Sequence, residues 1–270
     1  MNRLIITLCS VLLMLAQGVY AQSNSAKIDF ERGMNAYHNK NYEAAVSHLT
    51  KAAFGGVTEA YEPLINIYAD GEYDGSGKGN YRVALSWTVQ AINKYFEDGG
   101  YNAQLAATCM MYYDPLCFLT GDYQEAIDHG IKSAGTSISP YLLTQIAASY
   151  LKLGDTKNAN EWLKKAKTLA KKYDEALSIH TANAIISKMY FDKKNYSKAL
   201  EYSEEAVLEG KVPLAAYVYG ASRIKTNNSP SFGKQWVEAA AKYDYNGIYE
   251  INCFEDEIKQ YWESIKDITF

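Results

Sequence analysis

The chain has 270 residues, with 27 basic against 31 acidic side chains for a formal net charge of −4, and 48% of it is hydrophobic. That apolar content supports a folded protein, and the length accommodates one extended domain or two compact ones. The mildly acidic balance excludes nucleic acid as the main partner, because phosphate binding needs clustered cations.

Residues 1–21 read as a secretory signal. Arg3 supplies the positive start, Leu4 to Ala16 is an apolar run of about 13 residues, and Val19-Tyr20-Ala21 ends it with the small residues that signal peptidase reads. The run is shorter than the roughly 20-residue helix a bilayer demands. Cleavage after Ala21 predicts a periplasmic or secreted chain, 22–270, that does not span a membrane. Cys9 does not turn the segment into a lipoprotein signal, since Leu8 precedes it where a small residue is required. The exported chain then keeps Cys109, Cys117 and Cys253, an odd number that permits at most one internal bridge. Cys109 and Cys117 meet only if the chain turns at Asp114-Pro115; otherwise they pack as small apolar groups.

Six helical hairpins are predicted in order: 27–54, 59–95, 102–134, 139–171, 176–209 and 213–242. The second helix of each carries a small residue at Ala45, Ala84, Ala126, Ala159, Ala199 and Gly233. Seven positions later stand Ala52, Ala91, Ser133, Ala166, Ala206 and Ala240, again all small. Three positions after the first small residue come His48, Trp87, His129, Trp162, Tyr202 and Trp236, all ring-bearing. Linked coincidences of this kind mark an internal repeat, although its spacing varies from 33 to 42 residues. Turns are expected at Lys40-Asn41, Gly121-Asp122, Gly154-Asp155 and Asn227 to Pro230, with Asp114-Pro115 breaking the third unit. A single hairpin cannot bury its own apolar stripe and must stack on its neighbours. The remainder, 243–270, shows a further helical pattern in Phe254, Ile258, Tyr261, Trp262 and Ile265 beside many acids. It suits the polar end cap that an open stack needs. No alternation of apolar and polar residues is long enough to argue for a sheet.

The fourth unit states the pattern most fully, with Ala147, Tyr150, Gly154, Ala159 and Ala166. In that combination it resembles the tetratricopeptide repeat. The second unit, through Ala60, Tyr68, Gly71, Ala84 and Trp87, resembles the Sel1-like variant, and the sixth shares such features. The resemblance implies an all-α solenoid of about six antiparallel hairpins, a right-handed superhelix with a C-terminal capping helix, in which the first helices line a concave groove. It implies a non-catalytic scaffold that binds a protein or peptide. By that register Tyr141, Thr144, Ala148 and Lys152 face the groove in the fourth unit, with Thr181, Ala184, Lys188 and Phe191 in the fifth. Thr144 and Ala148 stand where some members clamp a peptide carboxylate with polar side chains, so that mode is not expected. Packing of Tyr141 and Phe191 between hairpins is the competing reading.

Chemistry has few footholds. The insertion Asp70 to Tyr81 fails as a phosphate loop, because no Ser or Thr follows Lys78 and no strand precedes it. As a calcium loop it places Asp70, Glu72, Asp74 and Ser76 in ligand-like order, but Tyr81 stands where a bidentate Glu belongs. A plain inter-helix turn is expected. His38, His48, His129 and His180 form no cluster, so no metal and no cofactor are expected. The lysines Lys164, Lys165, Lys167, Lys171 and Lys172 read as a solvated face, or alternatively as a basic docking strip. The leading functional expectation is an exported interaction scaffold of the bacterial cell envelope. A glycan or cell-wall-fragment binder using groove tyrosines is the alternative. A hydrolase with a concealed site comes third, and would need Asp70, Asp74 and His129 to converge.

Overall fold

The computed structural model describes residues 24–135, 138–245 and 251–270. The expected signal segment 1–21, with Cys9, lies outside the described residues, as does Glu250. The described chain is helical throughout, with no strand among the described residues. It divides at Leu116 and Cys117 into two compact units.

The first unit holds α1 (residues 24–38), α2 (Tyr42–Phe54), a 3-10 turn at Thr58–Ala60, α3 (Tyr61–Ala69), α4 (Tyr81–Glu97) and most of α5 (Ala103–Thr120). The second holds α6 (Tyr123–Ala134), α7 (Pro140–Lys152), α8 (Thr156–Tyr173), α9 (Ala176–Asp192), α10 (Tyr196–Leu208), α11 (Pro213–Lys225), α12 (Pro230–Ala241) and α13 (Glu255–Ile265). In the second unit α7 packs on α8, α9 on α10 and α11 on α12; each pair also packs on the next. The first helices α7, α9 and α11 additionally touch in sequence, forming a continuous row. This is a solenoid of helical hairpins.

The six small residues prove to be structurally equivalent. Each is the fourth residue of its helix, and its amide donates the first intrahelical hydrogen bond to the N-cap carbonyl. The bonds run from Ala45 to Asn41, Ala84 to Asn80, Ala126 to Asp122, Ala159 to Asp155, Ala199 to Asn195 and Gly233 to Ser229, at 2.9 to 3.1 Å. All six are buried. The ring-bearing position lies at the edge of each crossing and is half-buried except at Trp87. The following residue is the core position: Leu49, Thr88, Gly130, Leu163, Ser203 and Val237 are all buried. A 100° step along the helix separates the two, which places the bulky ring as a flank and the smaller neighbour as the contact.

The turns repeat as well. Lys40, Gly121, Gly154 and Lys194 each adopt the left-handed conformation that ends a helix. The cap residues Asn41, Asp155 and Asn195 accept an amide from the first turn of the next helix, at 3.3, 3.0 and 3.2 Å. Across three of these turns an aromatic residue in the last turn of one helix meets the tyrosine that opens the next. These pairs are Tyr37 with Tyr42, Phe118 with Tyr123 and Phe191 with Tyr196, with centroids 6.0, 5.9 and 5.6 Å apart. Part of the tyrosine excess therefore serves to fasten hairpins shut. We expect Asn195→Ala to cost about 1 kcal/mol through the lost cap. In thermal denaturation that is a fall of roughly 2–4 °C for a domain of this size.

One expectation is corrected. Asp114-Pro115 does not break the third unit, because α5 runs through it with Pro115 inside the helix. The helix leaves no chain reversal to bring Cys109 and Cys117 together, and both are buried thiols outside any disulfide. Burial pushes the Cys109 thiol up to about 11.

Candidate functional site

The row of first helices α7, α9 and α11 is where the resemblance placed a groove. Its residues Thr144, Ala148 and Lys188 are only 1%, 0% and 4% exposed, and Ala184 is fully buried. These four side chains are thus buried rather than open to solvent. Helix-to-helix packing closes over the small residues, and the chain's own C-terminal segment occupies the row.

That occupation is specific. Lys152 Nζ donates to the Cys253 carbonyl at 2.9 Å and stands 5.3 Å from the centroid of the Phe254 ring. Lys188 Nζ approaches the same ring at 5.6 Å. Two ammonium groups thus approach the Phe254 ring, contacts its quadrupole favours. Lys188 also pairs with Asp192 at 2.6 Å and with Glu257 at 3.0 Å. A buried ammonium needs such partners, since losing water around a lone charge costs far more than the pair does. Tyr217 Oη donates to Glu257 Oε1 at 3.2 Å, and its ring sits edge-on to Tyr261 at 5.4 Å. Burial, reinforced by the Glu257 charge, pushes the Tyr217 phenol far above its ordinary range. Phe191 completes the aromatic group, edge-on to Tyr217 at 5.7 Å. The end of the chain is tied to α12, where Lys234 Nζ donates to the Lys266 and Ile268 carbonyls and Ser231 Oγ to the Phe270 carbonyl. Ile251, Phe254, Ile258 and Ile265 of this segment are buried.

The other groove residues are placed as follows. Lys152 is exposed, with its ammonium bonded to the Cys253 carbonyl and near the Phe254 and Tyr123 rings. Tyr141 is half-buried and its hydroxyl accepts from Gln145 Nε2 at 2.8 Å. The hydroxyls of Thr144 and Thr181 donate to carbonyls of their own helices, at Pro140 and Leu177. Tyr141, Thr144 and Thr181 line one cavity of about 440 Å³ with Leu177, Pro213 and Tyr243.

Elsewhere the insertion after α3 folds on itself. Asp74 Oδ1 accepts from the Ser76 amide at 3.0 Å, and hydrogen bonding from the Ser76 hydroxyl, then from that amide, holds the exposed Asp74 carboxyl below its ordinary range. The Gly77 amide closes on the Gly71 carbonyl at 3.2 Å, and Asn80 donates to the Tyr68 carbonyl at 2.7 Å. Left-handed Gly71 is required there, because a Cβ would stand 2.3 Å from the Lys78 nitrogen. Among the histidines, His48 Nδ1 bonds Asp29 at 2.8 Å and His129 Nδ1 bonds Ser133 at 3.3 Å. His180 is buried. Of the lysine run on α8, Lys167 turns inward to Asn183 Oδ1 at 2.7 Å and Lys165 lies over Trp162 at 3.9 Å. Burial holds the Lys167 ammonium below its usual range.

No curated protein matches the chain. Residues 140–173 match the family model of the tetratricopeptide repeat. The matched stretch is the hairpin α7 and α8, whose core joins Leu143, Ile146 and Ala166 with Tyr150 and Trp162 around them. Residues 140–173 thus form a tetratricopeptide repeat, set in a row of helical hairpins whose small residues share one bonding pattern.

Proposed function

We propose that the chain is an exported, non-catalytic scaffold of the bacterial cell envelope that holds a protein partner on the first-helix row of α7, α9 and α11. Tetratricopeptide repeats support protein–protein interaction in general. The observation that carries the finer reading is the gripping of residues 251–261 by that row. Its lysines take a backbone carbonyl, a carboxylate and a ring face from a polypeptide, which is the chemistry a partner segment offers. A partner with an aromatic residue followed one turn later by an acid would take the place of the chain's own segment. The Sel1-like reading of the second and sixth units belongs to this proposal too.

The glycan reading has less support. Rings that would stack on a sugar are engaged with other rings, as Tyr190 is with Tyr202 at 5.5 Å and Tyr219 with Trp236 at 5.9 Å. No helix among the described residues is long and apolar enough to cross a membrane.

Capture from an envelope extract with the mature chain as bait tests the function. We expect enrichment of a discrete protein, lost when the bait carries Lys152→Met and Lys188→Met. Retention of glycan fragments without such a protein would favour the alternative. Sequencing the amino terminus of the mature chain tests export separately: it should begin at Gln22, and a cytoplasmic chain beginning at Met1 would contradict the localisation.

A further inference from the structure

His180, on the second turn of α9, is only 8% exposed. Its Nδ1 is buried with no hydrogen-bond partner. The buried polar groups of a folded protein are almost always bonded, so an orphan of this kind asks for a missing occupant. Opposite it stand Glu205 in the last turn of α10 and Glu209 at its C-cap. A nitrogen of His180 and one carboxylate oxygen from each glutamate lie within 4.8 Å of one another.

The three groups converge without neutralising one another. Among the described residues none of their side chains makes a hydrogen bond or an ion pair. Glu205 and Glu209 are like charges four residues apart on a helix, a pairing that is repulsive unless a cation lies between. Lys167 is close enough to feel Glu205, but its ammonium is bonded to Asn183 at 2.7 Å. The imidazole is also held in place from behind. A Cβ at Gly210 would lie 2.5 Å from His180 Cβ and 2.7 Å from Cγ, so the chain after α10 closes directly on the ring.

We propose that His180, Glu205 and Glu209 bind a divalent first-row transition-metal ion, with zinc as the probe. An imidazole with two carboxylates is a donor set for zinc and its neighbours, whereas calcium and magnesium prefer oxygen alone. Three protein ligands leave a further position for water. Metal–ligand bonds of roughly 2.0–2.2 Å put tetrahedral ligands about 3.4 Å apart. The two glutamates are exposed at a helix end and need only small side-chain rotations to reach that spacing, while the imidazole stays fixed. A bound ion ties the open end of α10 to α9 and closes the fifth hairpin.

The full chain, stripped with a chelator, is titrated with zinc chloride by calorimetry, with cobalt(II) absorption reporting the geometry. We expect one saturable zinc ion per chain and a rise in melting temperature on its addition. Both should be lost in the double variant Glu205→Gln, Glu209→Gln, whose exposed positions leave the helical circular dichroism unchanged. Calcium chloride should produce neither effect. Absence of saturable zinc binding by the parent chain, or equal binding by the double variant, overturns the site; calcium binding as tight as zinc overturns its class.

Discussion

Replacing Gly220 by alanine is expected to destabilise the C-terminal repeats by about 2–3 kcal/mol, because the added methyl meets backbone. A Cβ at Gly220 would stand 2.3 Å from the Gly233 carbonyl oxygen, with Trp236 Cβ and Val237 Cγ2 at 3.0 Å. The contact is reciprocal, since a Cβ at Gly233 would lie 2.6 Å from the Gly220 carbonyl oxygen. Two opposing effects set the sign. Alanine in a helix interior is favoured over glycine by about 1 kcal/mol. A contact below 3.0 Å with another helix's carbonyl cannot be relieved by a rotamer change, so α11 and α12 must separate and lose burial along their length. The clash wins. Thermal denaturation should show a fall of roughly 5–10 °C, confined to the amides of α11 to α13 when followed by hydrogen exchange. An unchanged or raised melting temperature would mean that the two helices are farther apart than the structure places them.

That pair also shows how much could be read from the residues alone. Gly233 is legible by its register with the five alanines, whereas its contact with Gly220 on the preceding helix appears only in the fold. Their equivalence follows from a hairpin's need for a small residue where backbones cross. The turns at Gly121 and Gly154 are legible because glycine takes positive φ without penalty, and Lys40 and Lys194 fill the same backbone role without it. The ring-bearing position is legible as recurrent, whereas the buried position beside it is not, because Ser203 and Thr88 carry little apolar surface to mark them. Pro115 suggests a break, because proline removes one amide bond and crowds the carbonyl four residues back, yet α5 runs through it.

The groove residues were less legible, and the reason is tertiary. Periodicity shows that α13 hides the side carrying Ile258 and Ile265, but not which surface covers it. Only the folded chain brings Phe254 to Lys152 and Lys188, from residues far apart in sequence. The same holds for His180 against Glu205 and Glu209, which lie on different helices; the spacing of the two acids was the sole signal.

The second large effect concerns Phe254, which is 3% exposed. Truncating a buried phenylalanine to alanine costs about 3 kcal/mol or more where the whole domain must bear it. Here the ring anchors a terminal segment, so the loss should appear mainly as release of that segment while the hairpins stay folded. Hydrogen–deuterium exchange of the intact chain reads this most directly. Residues 251–265 should exchange far more slowly than a free peptide in the parent protein. In Phe254→Ala they should exchange fast while α8 and α10 keep their protection. Free-peptide exchange of 251–265 in the parent chain, or unchanged protection in the variant, would contradict the gripping of that segment by the first-helix row.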